Sequence, residues 1–220
     1  MKKKSILIID GCPLICEAYK SILHSINKKD SYCFDTKMAH CMPSAYRIIK
    51  NKIPLDILIL ELKFPLHDNQ EKLSGENLAI TIRRTLPNTK IIIATTFDDN
   101  FRIHSIFKTI NPDGFILKKD LTSSEFKRAI HSVINEDPFY SKSILKLLRK
   151  EISSNFSIDS MDRKILYELS IGARMIDMPN YIPLSAASIE KRKRHLKKVF
   201  NVKDKGDREL ILIAKEKGFI

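Results

Sequence analysis

Between residues 5 and 135 short apolar runs alternate with segments of helical period, and this alternation restricts the fold more than any other feature of the chain. The runs are residues 5–9 (SILII), 33–39 (CFDTKMA), Ile57-Leu58-Ile59-Leu60, residues 90–94 (KIIIA) and 114–117 (GFIL). Each is strand-sized and too short for a buried helix. Residues 13–25 carry Leu14, Ile15, Ala18, Ile22 and Leu23 on one helical face, and helical periods recur over 44–50, 76–86, 100–110 and 123–135. Five strands alternating with five helices predict parallel βαβ units, a doubly wound five-stranded α/β sheet covered on both faces. Such sheets bind ligands outside the C-terminal strand ends. Those ends carry Asp10, Glu61, Thr95 and Lys118.

Past Glu136-Asp137-Pro138 the pattern changes. A short basic helix over 141–150 and a polar connector, ISSNFS, over 152–157 lead into a segment without strand-like runs. Its helical periods are broken by Gly172, Pro179, Pro183 and Gly206. The predicted organisation is an α/β domain over 1–136, a linker with a short helix over 137–157 and an all-α domain over 158–220.

Lys and Arg number 39 against 26 Asp and Glu, so the chain carries +13 and suits an anionic partner, without specifying nucleic acid. The longest apolar runs fall far short of the ~20 residues that cross a bilayer, so no membrane partner is expected. Basic Met1-Lys2-Lys3-Lys4 precedes a run that stops at Asp10, too short for a secretory signal. Cys12, Cys16, Cys33 and Cys41 form no CxxC pair and read as reduced thiols of a cytoplasmic protein. There is no GxxxxGK[ST], GxGxxG or GxSxG element, and no two His residues have metal-ligand spacing. By residue type alone, the strand-end cluster fits a metal, phosphate or hydrolase site, or a solvated rim of charges.

Order and spacing resemble a response-regulator receiver. Ile6-Leu7-Ile8-Ile9-Asp10 is similar to its first strand, and Asp56 through Glu61 to Pro65 is similar to its third strand with the downstream proline. Ile91-Ile92-Ile93-Ala94-Thr95-Thr96 resembles the fourth strand with its hydroxyl switch residue, and Asp113-Gly114-Phe115-Ile116-Leu117-Lys118 the fifth, with switch aromatic and lysine. The resemblance covers 1–136 and implies a flavodoxin-like fold. Two departures bear on chemistry. Receivers carry a second acid after the first strand, a Mg²⁺ ligand, where this chain has Gly11; the phosphoacceptor position holds Glu61 instead of Asp. Glutamate places its carboxylate about 1.5 Å further out, where productive geometry tolerates fractions of an ångström. With one acid missing and another displaced, Mg²⁺ binding is weakened and no metal is expected, Asp10 and Glu61 being the candidate ligands for any Mg²⁺ that binds. Glu61 then either has drifted in a redundant site, or pairs with Lys118 or Thr95 and holds an active-like state without phosphate. The stretch 67–74 also exceeds the usual loop by a few residues.

In the C-terminal part, Ile189, Leu196, Val199 and Phe200 form one apolar helix face after an N-cap at Ser185, and six basic residues lie between Lys191 and Lys198. By composition this is equally a solvated face or a nucleic-acid surface. The preceding Pro-broken turn and the following helix favour a groove reader. Residues 157–220 resemble the helix-turn-helix of LuxR/NarL-type regulators. The resemblance implies base reading by Glu190, Lys191 and Arg194, with flanking hydroxyls and bases such as Ser188, Lys197 and Lys198 on phosphates. Arg194 suits guanine O6/N7 and Glu190 suits cytosine N4. Pro179 departs from a regular first helix over 174–182, which is expected to be short or to start at the proline.

Together these readings describe a cytoplasmic, non-enzymatic transcription regulator that needs no cofactor, with double-stranded DNA and a second copy of itself as partners. The sequence does not identify an upstream histidine kinase. Two alternatives remain: a receiver phosphorylated at Glu61, and an adaptor whose basic helix meets no DNA.

Overall fold

A computed structural model describes residues 2–27, 32–50, 54–64, 74–152, 158–203 and 205–220. The chain divides into two compact units, one of Met1–Asp98 with Ser105–Leu145 and one of Asp99–His104 with Lys146–Ile220.

The first unit is built on a parallel sheet of β1 (Lys2–Ile9), β2 (Tyr32–Ala39), β3 (Ile57–Leu60), β4 (Lys90–Thr95), β5 (Gly114–Leu117) and β6 (Phe139–Tyr140), in the order β2-β1-β3-β4-β5-β6. The connecting helices are α1 (Pro13–Asn27), α2 (Met42–Lys50), α3 (Gly75–Thr85), α4 (Asn100–Thr109) and α5 (Ser123–Ile134). β3 and β5 are buried at every position, because helices cover both faces, and this is why they read as continuous apolar runs. β2 lies at the edge and alternates, exposing Asp35 and Lys37, charges that blunt an open strand. On one face Tyr19 stacks on Phe126 at 4.4 Å, and Leu23, Ala129, Ile130 and Val133 pack with Ile6, Ile8, Ile57 and Ile59. Ser74 and Thr122 cap α3 and α5 by accepting from Asn77 N and Glu125 N. Each such cap stabilises its helix by about 1 kcal/mol.

Among the described residues the sheet has six strands where the sequence predicts five. Phe139 and Tyr140 pair with Gly114 and Phe115, and Phe139 is buried in the α1/α5 core. A two-residue strand shows no alternation, so it was hidden in the segment predicted as linker. The first unit accordingly runs past residue 136.

α6 (Lys142–Ile152) follows directly; the connector at 153–157 and the long stretch at 65–73 lie outside the described residues. The second unit continues with α7 (Ser160–Ser170), α8 (Ala186–Val199) and α9 (Asp207–Glu216). Its core unites Ile165, Leu166, Met178, Ile182, Ile189, Leu196, Phe200, Leu210, Ala214 and Phe219. A capping box between Asp159 and Asp162 starts α7, and Gly172, at φ +88°, ends it in the left-handed conformation a C-terminal cap favours. The helix considered over 174–182 is one 3₁₀ turn, Met178–Asn180, because Pro179 has no N–H to continue an α-helical ladder. Among the described residues no helix is long and apolar enough to cross a membrane.

Candidate functional site

The chain reverses direction across the sheet between β1 and β3, the switch point where open α/β sheets form their ligand crevice. Asp10 leaves β1 and Glu61 leaves β3 at this point, tied together by Glu61 N donating to the Ile9 carbonyl at 2.9 Å. Both carboxylates are nearly fully buried, Asp10 at 3% and Glu61 at 4% exposure. Buried charges persist only when paired and hydrogen-bonded. Lys118, leaving β5, supplies the pairing. Its Nζ lies 2.6 Å from Asp10 Oδ2 and 2.9 Å from Glu61 Oε2. Burial pushes the Lys118 pKa down, but hydrogen bonds and charges from Asp10 and Glu61 outweigh it, and the net direction is up.

Glu61 is held on every side. Its Oε1 accepts from the Thr95 hydroxyl and from the backbone N–H of Leu62 and Lys63 at 2.8 and 2.9 Å, while Oε2 accepts from Thr96 N at 3.3 Å. Asp10 Oδ1 accepts from Cys12 N at 3.0 Å. Thr95 and Phe115 are fully buried, and the Phe115 ring packs 5.4 Å from Phe107. Gly11 is exposed and contributes no side chain. Thus Asp10, Glu61, Thr95 and Lys118 converge, Phe115 lies behind them on β5, and Gly11 leaves the rim open.

This donor set does not fit Mg²⁺. The ion needs near-octahedral oxygen ligation at 2.0–2.1 Å. Here one ammonium already bridges the two carboxylates, and no group of three acidic, His or Cys side chains among the described residues is arranged to hold a metal.

The second site is α8. Ser185 caps it by accepting from Ser188 N at 3.3 Å. Ile189, Leu196 and Phe200 are buried and set its orientation in the helical core. Three of its cations are engaged inside the unit. Arg192 Nη1 lies 2.8 Å from both Asp159 and Asp162, and Lys193 and Lys197 meet Asp207 at 3.2 and 2.7 Å. Burial raises the Asp207 pKa, but these lysines outweigh it and hold the carboxyl below its ordinary value. Lys197 also donates to the Lys205 carbonyl at 3.0 Å. Glu190 is half-buried, with Lys193 at 3.5 Å. Lys191, Arg194 and Lys198 are exposed and have no ion pair among the described residues. With Ser188 they share about a third of the helix circumference, opposite the buried face.

Two groups of residues have roles the sequence reading missed. Asp159, Asp162 and Asp207 decide which α8 cations remain free; the Asp-x-x-Asp capping spacing was the one local signal. Asp120 accepts from Ser141 Oγ, Ser143 N and Ser143 Oγ at 2.7–2.8 Å, fastening the start of α6 to the turn after Lys118. No sequence pattern announces that clasp.

Fold and sites together define a class: a doubly wound parallel sheet with an acid–lysine cluster at its switch point, followed by a helical unit presenting a basic helix. Solved structures of the response regulator RcsB share this receiver plus helix-turn-helix architecture. RcsB in a structure of two dimers bound to two parallel DNAs matches with a TM-score of 0.63 at 17% identity, over 97% of this chain and 98% of that one. RcsB from Salmonella enterica serovar Typhimurium, bound to promoter P1flhDC in the presence of phosphomimetic BeF3⁻, matches at 0.60 and 17% identity, over 96% and 97%. The isolated REC domain of the same protein matches at 0.56 and 17% identity, over 66% of this chain and 98% of that one. At such identity the likeness is one of fold. No protein-family model and no curated protein matches the sequence.

Proposed function

We propose that the chain is a DNA-binding transcription regulator of the response-regulator type that works without phosphorylation. In this reading residues 1–136 act as a receiver-like domain, 137–157 connect, and 158–220 bind double-stranded DNA, as a homodimer in the cytoplasm. The observation that carries DNA binding is the partition of cations on α8: Asp159, Asp162 and Asp207 neutralise three, while Lys191, Arg194 and Lys198 have no ion pair among the described residues and share one exposed face. Arg194 and Lys191 are assigned to base edges, with Ser188 and Lys198 on phosphates and Glu190 at the margin of the face. Lys197 is assigned chiefly to the α8–α9 junction, since Asp207 and the Lys205 carbonyl hold its ammonium.

Glu61 supports independence from phosphate. In a receiver, the phosphoryl group is held by the lysine and draws in the hydroxyl and the aromatic. Here the longer Glu61 carboxylate itself takes the Lys118 ammonium and the Thr95 hydroxyl, and Phe115 is already buried. Lys118 supplies the positive charge between Asp10 and Glu61, so this reading routes no step through Mg²⁺.

The test combines phosphorylation and binding. Wild-type protein is expected to gain no mass from acetyl phosphate and to bind DNA equally with and without it. Glu61→Asp alone should restore little, and Glu61→Asp with Gly11→Asp should restore Mg²⁺-dependent phosphorylation. Robust labelling of the wild type that disappears in Glu61→Gln would overturn the proposal.

A further inference from the structure

α6 carries a second basic stripe that the function proposed above does not use. Lys142, Lys146 and Arg149 stand at i, i+4 and i+7 and share one exposed face, while Ile144 and Leu147 are buried on the other. Among the described residues these three cations have no ion pair or hydrogen-bonding partner. Lys150, further along the helix, is instead turned onto the Glu216 carbonyl at 3.3 Å.

The arrangement is unfavourable for an isolated helix. Lys142 and Lys146 repel at i,i+4 spacing, and the first turn, where the helix dipole favours acids, contains none. Other helices of the chain place an acid beside such cations, as Glu125 stands beside Arg128 in α5 and Glu17 beside Lys20 in α1. Among the described residues the exposed face of α8 shows a similar row of unpaired cations, at i, i+3 and i+7. A stripe of repelling charges is relieved by a polyanion. At 1.5 Å per residue the three cations extend over about 10 Å, and the charges of one DNA strand recur every ~3.4 Å along its axis, so several phosphates fall within that length. Two of the three are lysines, point charges that meet phosphates without reading bases.

We infer that α6 is a second, sequence-independent contact to the DNA backbone, with Lys142, Lys146 and Arg149 on phosphates. The inference rests on the DNA-binding reading of α8. The experiment titrates the full-length chain with a selected duplex and a scrambled duplex across a salt series. It compares wild type, the triple change Lys142→Ala, Lys146→Ala, Arg149→Ala, and the double change Lys191→Ala, Arg194→Ala. The triple variant should weaken both duplexes alike, roughly tenfold or more at moderate salt. It should flatten the slope of log affinity against log salt by about 2–3 and keep the preference between duplexes. Its melting temperature should not fall, because alanine removes repulsion from an exposed face. If affinity and slope stay at wild-type values while the α8 variant loses its preference, α6 does not touch DNA and the inference fails alone. If the triple change erases sequence preference, α6 is not a backbone contact. If wild type binds neither duplex, the DNA reading and the inference fall together. Binding to anionic phospholipid vesicles that the triple change abolishes, with an unaltered DNA salt slope, would assign the stripe to a membrane and overturn the proposal.

Discussion

Asp10, Glu61 and Lys118 bury two negative charges against one positive, so the arrangement depends on the ammonium between them. Lys118→Met leaves two adjacent carboxylates out of water without a cation. Breaking a buried pair in this way costs about 3–5 kcal/mol. Urea unfolding at pH 7 should show that loss, and Lys118→Arg, which keeps a cation beside the two carboxylates, should lose less. An equal loss in both variants would mean the missing charge is not the cause. In the wild type the Lys118 pKa is raised, so its contribution is fully present below the unfolded lysine value. It is lost only as pH rises through the folded value, above the ordinary lysine range. The site therefore stays intact across neutral pH.

At the scale of elements, two junctions are tight. A side chain at Gly75 would place its Cβ 2.8 Å from Leu62 Cα and 2.9 Å from the Glu61 carbonyl oxygen. α3 begins against the very backbone that presents Glu61. Gly75→Ala should cost about 1–3 kcal/mol through overpacking, read as a lowered denaturation midpoint. On α8, free and engaged cations should separate by phenotype. Arg194→Ala is expected to cost roughly 1–3 kcal/mol of binding and relax preference at one base position. Lys198→Ala should weaken all sequences alike. Lys197→Ala should chiefly lower the melting temperature, because it loosens the Asp207 junction. Altered base preference in the Lys197 variant with none in Arg194 would place the wrong face of the helix in the groove.

For the whole molecule, the proposed homodimer needs a surface. α9 buries Leu210 and Ala214 in its own unit but leaves Leu212 at 56% exposure. An apolar side chain this exposed on the closing helix is a candidate contact for a second copy. Leu212→Glu should shift sedimentation toward monomer and weaken binding to a two-fold related site more than to a half-site. An unchanged association constant would move the dimer contact elsewhere.

What the sequence determined by itself was local and periodic. Four of the six strands and the amphipathic helices were legible as apolar runs and 3.6-residue periods, since burial on one or both faces imposes them residue by residue. β2 was the weaker signal, as an edge strand should be. The position of Asp10, Glu61, Thr95 and Lys118 at strand ends followed from the βαβ pattern, and the basic face of α8 from composition and spacing. Tertiary structure alone decided the rest. β6 is too short to have a period. Arg192 is claimed by Asp159 and Asp162, 33 and 30 residues away, so no window along the chain could show that it is engaged while Arg194 is free. Glu61 draws donors from the ends of β3, β4 and β5, and three of them are backbone N–H groups that no side-chain pattern records. Hydrophobic burial is written along the chain because it repeats. Charge pairing and backbone donation depend on which distant segments meet, and that is settled only when the sheet and the helical unit have folded.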